Sequence, residues 1–166
     1  MRVLLKFFQQ EKEENNNGSN REMIVPIVLA CMNMSKRKVG ALIVIERSIP
    51  LDDVSDTGDR IDANINQRLI ENIFFKNSPL HDGAMIISKH RIKSAGCILP
   101  VSHSLDIPKE LGLRHRAAMG MSQDSDAVVI VVSEETGGIT VAIKGQFQLR
   151  LSAEKLESVL TEELKK

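Results

Sequence analysis

Three short segments place phosphate- or metal-active side chains beside glycine or at the end of an apolar run. In Pro79-Leu80-His81-Asp82-Gly83-Ala84, an imidazole next to a carboxylate can bind a divalent cation and hold a hydroxyl together. Gly83 there lets a ligand approach the backbone. The same residues also suit an ordinary turn closed by an Asx hydrogen bond. In Leu113-Arg114-His115-Arg116-Ala117-Ala118, three basic side chains stand in succession near an expected helix start, where backbone N–H groups and guanidinium forks both favour phosphate. A triphosphate fits that inventory, and a solvated basic edge remains the plainer reading. In Val132-Ser133-Glu134-Glu135-Thr136-Gly137, a valine-rich strand ends in a hydroxyl and two carboxylates, one of which could hold a metal ion. Solvated acids at a hairpin tip are the alternative.

The elements that must position these groups follow from hydrophobic periodicity. Residues 9–20 are polar and turn-rich and read as a linker, so 1–20 is expected to be a tail and 21–166 one globular domain. Apolar residues return at helical spacing over 21–36, with Pro26 tolerable only in the first turn. The β-branched run 39–46 suits a strand buried on both faces, central in its sheet. Residues 47–62 read as a surface connection. Ile65, Leu69, Ile70, Ile73 and Phe74 then mark a second helix. Runs 85–88 and 92–99 form a hairpin across Lys89-His90-Arg91, and runs 127–133 and 139–143 form another across Gly137-Gly138. Residues 108–122 have helix character. Residues 152–165 form an amphipathic helix with Ser152 as its cap and Leu156, Val159, Leu160 and Leu164 inward. Hairpins require antiparallel neighbours, so the fold class is α/β: a single globular domain with a central mixed β-sheet flanked by helices.

Bulk properties narrow the function. The 166 residues suit one domain. Lys plus Arg and Asp plus Glu are both 22, so no broad field attracts nucleic acid or anionic lipid, and any anion site is local. Cys31 and Cys97 lie far apart in apolar runs and are expected to be reduced core residues. No apolar stretch approaches the roughly 18 residues a spanning helix needs. Neither a P-loop nor a GxGxxG pattern is present.

Taken in order, the strand at 40–46, the 77–86 segment around His81-Asp82-Gly83-Ala84, the 111–120 segment around Arg114-His115-Arg116 and the 131–139 segment resemble the diadenylate cyclase domain family. That family's hallmarks are an Asp-Gly-Ala and an Arg-His-Arg motif. The resemblance implies a nucleotidyltransferase that condenses two ATP into cyclic di-AMP and two pyrophosphates at the interface of a face-to-face homodimer. Asp82 would hold and deprotonate the ribose 3′-hydroxyl, with Gly83 and Ala84 shaping the ribose wall. His81 and Glu135 match metal-contacting positions, with Mn²⁺, Mg²⁺ or Co²⁺ as the cofactor. Arg114, His115, Arg116, Ser133 and Glu134 would bind or steer ATP, and Leu99 would line the adenine pocket. Leu113 stands where the family often has Ser or Thr, which removes one hydroxyl contact, and Gln123 stands where Glu is frequent. Similarity to the membrane-anchored type further implies a cytoplasmic domain of a protein held at the inner face of the cell membrane, with regulatory partners. On this reading the start at Met1 is a truncation ahead of the domain, or else the chain is a naturally soluble relative. The alternative is a non-catalytic ATP-binding module of the same fold. A metal-dependent phosphohydrolase using His81, Asp82 and Glu135 would instead release phosphate or AMP.

Overall fold

The computed structural model describes the backbone of residues 2–102 and 107–166, with side chains from residue 20 onward within those ranges. Its elements in order are α1 (Arg2–Arg37), β1 (Ala41–Ile45), α2 (Asp52–Ser55), β2 (Asp59–Asn64), α3 (Gln67–Phe74), β3 (Ala84–Ser88), β4 (Arg91–Cys97), α4 (Leu113–Asp124), β5 (Val128–Val132), β6 (Ile139–Ile143), β7 (Gln146–Gln148) and α5 (Ala153–Leu164). The strands form one mixed seven-stranded sheet in the order β2-β4-β3-β1-β5-β6-β7. The α/β architecture expected from the sequence is therefore present, and β1 lies at its centre.

Strand alternation explains the layers. Side chains of successive strand residues point to opposite faces. Ala41, Ile43 and Ile45 of β1 join Met85, Ile87, Val128, Ile130 and Val132 under α1, α3 and α5. Leu42 and Val44 join Ile86, Val129 and Val131 under α4. With both faces covered, β1, β3 and β5 are buried at every position, which is why they read as continuous apolar runs. β1 is parallel to β3, pairing Ile43 with Met85, and antiparallel to β5, pairing Ala41 with Val132. That register brings the start of β1, the start of β3 and the end of β5 to one end of the sheet.

Three expectations need correction. Residues 9–20 are helical rather than a linker, because Gln, Glu and Lys propagate a helix almost as well as Ala once the packed turns nucleate it. Pro26 consequently lies inside α1 rather than in a first turn. Asn20 ties α1 to the sheet end: its side-chain amide N–H donates to the Leu164 carbonyl and its Oδ1 accepts from His90 Nε2. Residues 47–62 contain α2 and most of β2. β2 is an edge strand, exposed or half-buried throughout, so it lacks the apolar signal and is held instead by pairing with β4 and by the Asp62–Arg91 ion pair. The helix expected from 108 begins at Leu113, after a turn in which Leu111 N–H donates to Pro108. Cys31 and Cys97 are buried free thiols, as expected, and burial pushes Cys31 up to about 12.

Candidate functional site

The loop entering β3 is built around Ser78. Ser78 N–H donates to Phe75, Leu80 N–H donates to Ser78 Oγ, and His81 Nδ1 donates to the Ser78 carbonyl at 2.6 Å. A carbonyl can only accept, so Nδ1 carries a proton, and whenever the ring holds no second proton Nε2 presents a lone pair. Nε2 lies 3.1 Å from Asp82 Oδ1, and the Asp82 side chain is 85% exposed. Two acceptors facing each other at that distance call for a cation or a proton between them. Metal–ligand bonds of about 2.0–2.1 Å put neighbouring ligands of an octahedral ion about 3 Å apart, so the pair suits a divalent cation, and the Ser78 bond fixes the tautomer. Among the described residues no three His, Cys, Asp or Glu side chains converge on one point, so the remaining ligands would have to come from phosphate oxygens or water.

Gly83 follows because the backbone crosses β4 too closely for any side chain. A Cβ there would lie 2.5 Å from Gly96 Cα and 2.8 Å from the Cys97 nitrogen. Gly96 itself has φ +66, in the left-handed region that favours glycine. Ala84 is the first residue of β3 and is fully buried in the core, lining neither cleft described below.

Helix α4 supplies the positive end. Its N-cap, Gly112, makes no side-chain cap bond, so the first-turn N–H groups are not capped by the residue that opens the helix, a disposition that suits an anion. Arg114 folds back toward the start of β1, with its side chain only 19% exposed; Nη1 lies 3.5 Å from Glu134 Oε2, and buried Nε has no hydrogen-bond partner. His115 is buried, its ring edge-on to Phe147 at 6.2 Å between centroids. Burial, and then the Arg114 charge beside it, hold His115 below the usual imidazole range and so favour the neutral ring. The three basic residues are thus dispersed by the helix. Arg114 enters the cleft, His115 packs beneath it, and Arg116 lines neither cleft described below.

Across from α4, the turn after β5 is closed by Ser133, whose Oγ accepts from Glu135 and Thr136 N–H, each at 3.2 Å. Glu134 and Glu135 project from this turn and are exposed. The turn rests on α1, where Ser35 Oγ donates to the Gly137 carbonyl at 2.6 Å.

Two clefts meet here. One of about 350 Å³ is lined by Asp82, Glu110, Arg114, His115, Ser133, Glu134 and Glu135, among others, and is mostly polar in its side chains. The other, of about 340 Å³, is lined by Leu42, Pro79, Gly83, Cys97, Ile98, Leu99 and Val101, among others. Asp82, Leu113 and Arg114 belong to both. An apolar slot joined to one that sets the Arg114 guanidinium among the carboxylates of Asp82, Glu110, Glu134 and Glu135 matches a base, a sugar and a triphosphate that brings divalent cations with it. The sequence reading missed Glu110, Ile98 and Val101. Ile98 lies inside the run 92–99 already read as apolar and Val101 just beyond it, and only their exposure marks them as cleft walls. Leu113, read as a lost hydroxyl, is 75% exposed at the junction of the clefts. A groove of about 750 Å³ at the opposite end of the sheet is larger, and four of its charged side chains are paired with one another as Lys93–Asp52 and Arg91–Asp62.

Comparison with known proteins bears on this site. Residues 28–147 match the DAC family, described as DisA bacterial checkpoint controller nucleotide-binding. The chain is 45% identical over 148 residues to the cyclic di-AMP synthase CdaA of Bacillus subtilis strain 168, covering 89% of this chain and 54% of that one. It is 46% identical over 142 residues to a diadenylate cyclase of Listeria monocytogenes, covering 86% and 52%. The chain thus spans about half the length of these curated relatives. A crystal structure of a double mutant of DacA from Staphylococcus aureus superposes with a TM-score of 0.85 at 45% identity, covering 87% of this chain and 96% of that one. A hypothetical membrane spanning protein from Bacillus cereus superposes with a TM-score of 0.73 at 44% identity, covering 76% and 62%. Among the described residues no helix is long and apolar enough to cross a membrane.

Proposed function

The chain belongs to the DAC family of nucleotide-binding domains, and on that premise we propose that it is a diadenylate cyclase making cyclic di-AMP from two ATP. The observation that carries the reading is the junction of the apolar cleft with the polar cleft that bears Arg114, at the exposed Asp82 carboxylate. Adenine lies in the slot beside Leu99, the ribose against Gly83, and the triphosphate along the start of α4, Arg114 and Ser133. Glu134 is the resting partner of Arg114 and yields it to the nucleotide. Arg116 acts as a nearby charge and not as a wall of the cleft, and neutral His115 supports the turn that carries Arg114.

One such cleft holds one nucleotide, and a ring of two needs a second copy facing it. Each 3′-hydroxyl gives its proton to Asp82, and the oxygen forms a bond to the α-phosphorus opposite. The bond from that phosphorus to the β-phosphate bridge breaks, and pyrophosphate leaves with the electron pair. Two such steps give two 3′,5′ linkages. Holding both reactants in line replaces an encounter in solution, and fixed charge stabilises the departing pyrophosphate. A divalent ion (Mn²⁺, Mg²⁺ or Co²⁺) held by His81 and Asp82, its other ligands phosphate oxygens or water and Glu135 a further carboxylate on the turn across the cleft, would neutralise phosphate charge when bound. Similarity to a membrane spanning protein supports anchorage of the full-length protein at the inner face of the cell membrane, with this domain in the cytoplasm.

The test is incubation of the purified protein with ATP and Mn²⁺ at two protein concentrations, with products separated by chromatography. Cyclic di-AMP and pyrophosphate, formed faster per subunit at the higher concentration, are expected. Bound ATP without product would identify a non-catalytic module, and AMP or inorganic phosphate would identify a hydrolase.

A further inference from the structure

Gly40, immediately before β1, has a backbone that does not require glycine: it is not among the residues at positive φ. Space explains it instead. A Cβ built there would fall 2.5 Å from Arg114 Nη1, 2.6 Å from its Cζ and 3.1 Å from Nη2, so the whole guanidinium lies flat over the bare Cα. Arg114 is otherwise loosely held, since Nε is buried without a partner and Nη1 meets Glu134 only at 3.5 Å. From this we infer that Gly40 is a positioning residue: the missing side chain is the seat that aims the Arg114 guanidinium into the nucleotide cleft. The inference rests on the ATP reading given above.

The clash falls on the far end of a flexible side chain and not on backbone, which separates this role from an ordinary packing one. Gly40→Ala can be accommodated by swinging Arg114 away, so the fold survives while the guanidinium is displaced. The neighbouring Ala41–Val132 pair, all backbone and core, is untouched by such a movement.

The experiment measures thermal unfolding, binding of a non-hydrolysable ATP analogue by calorimetry, and cyclic di-AMP formation for the parent protein, Gly40→Ala, Arg114→Ala and the double variant. Loss of a charge-assisted hydrogen bond to phosphate is worth roughly a ten- to hundredfold weakening. Gly40→Ala is expected to lose that much in analogue affinity and kcat/KM at unchanged Tm. In the Arg114→Ala background the same substitution is expected to change nothing further. Analogue binding by Gly40→Ala equal to that of the parent, or a Gly40→Ala loss that persists in full without Arg114, overturns the inference alone. A parent protein that binds no analogue overturns the functional reading, and the seat with it.

Discussion

Replacing Asp82 by Asn separates chemistry from binding. The substitution keeps the shape and one oxygen and removes the charge. Because the side chain is 85% exposed and its one described partner is His81 Nε2 at 3.1 Å, little folding free energy depends on it. Exposed ion pairs contribute at most about 1 kcal/mol, or roughly 4 °C for a chain of this size, so Tm is expected to stay within that range. Analogue affinity is expected to hold within about threefold, since the guanidinium, the helix start and the apolar slot are unaltered. Loss of a positioned proton acceptor costs about 10²–10⁴ in rate, equivalent to about 2.7–5.4 kcal/mol in the barrier. The assay is initial-rate formation of cyclic di-AMP at saturating ATP, beside calorimetric binding of the analogue. A turnover within threefold of the parent would refute the assignment of Asp82 as the proton acceptor. A parallel collapse of binding would show that the carboxylate holds the nucleotide rather than acting on it.

Other outcomes follow from the same geometry. Gly83→Ala drives a methyl group into the β4 backbone at Gly96, which cannot swing aside, so Tm is expected to fall by roughly 3–10 °C in a thermal melt, unlike Gly40→Ala. His115 is held below its ordinary pKa of 6.5 by burial and by Arg114; the unfolded chain therefore takes up a proton first as pH falls. Stability supplied by the neutral ring is present above 6.5 and lost below it, and urea titrations at pH 7.5 and 5.5 should show a drop that His115→Gln reduces. Removing divalent ions with EDTA is expected to abolish product formation, and His81→Ala to raise the Mn²⁺ concentration needed for half-maximal rate by roughly 10- to 100-fold.

The central architecture was legible because two covered faces turn a strand into a continuous apolar run, as in 41–45 and 128–132, and because Ser152 and the leucines after it carry a complete helix signature: the Ser152 side chain accepts from Lys155 N–H. The edges were not. Asp59–Asn64 and Gln146–Gln148 are polar strands recruited by backbone pairing with β4 and β6, and nothing in their composition announces a sheet. At the site, motif order singled out Asp82, Arg114 and Ser133, which line one cleft, yet adjacency in sequence suggested a common role for Arg114, His115 and Arg116. Successive helix residues point about 100° apart, so one enters the cleft, one packs beneath and one turns aside. The seat at Gly40 lies 74 positions from Arg114 and emerges only when β1 and α4 meet in space.

Asn20 is fastened beside His90 and Leu164, at the end of the sheet remote from Asp82, while Ser35 touches the turn that bears Glu134 and Glu135. α1 therefore travels from the back of the domain to its front. The helix ahead of Asn20 departs rearward, away from the end of the sheet that bears Asp82.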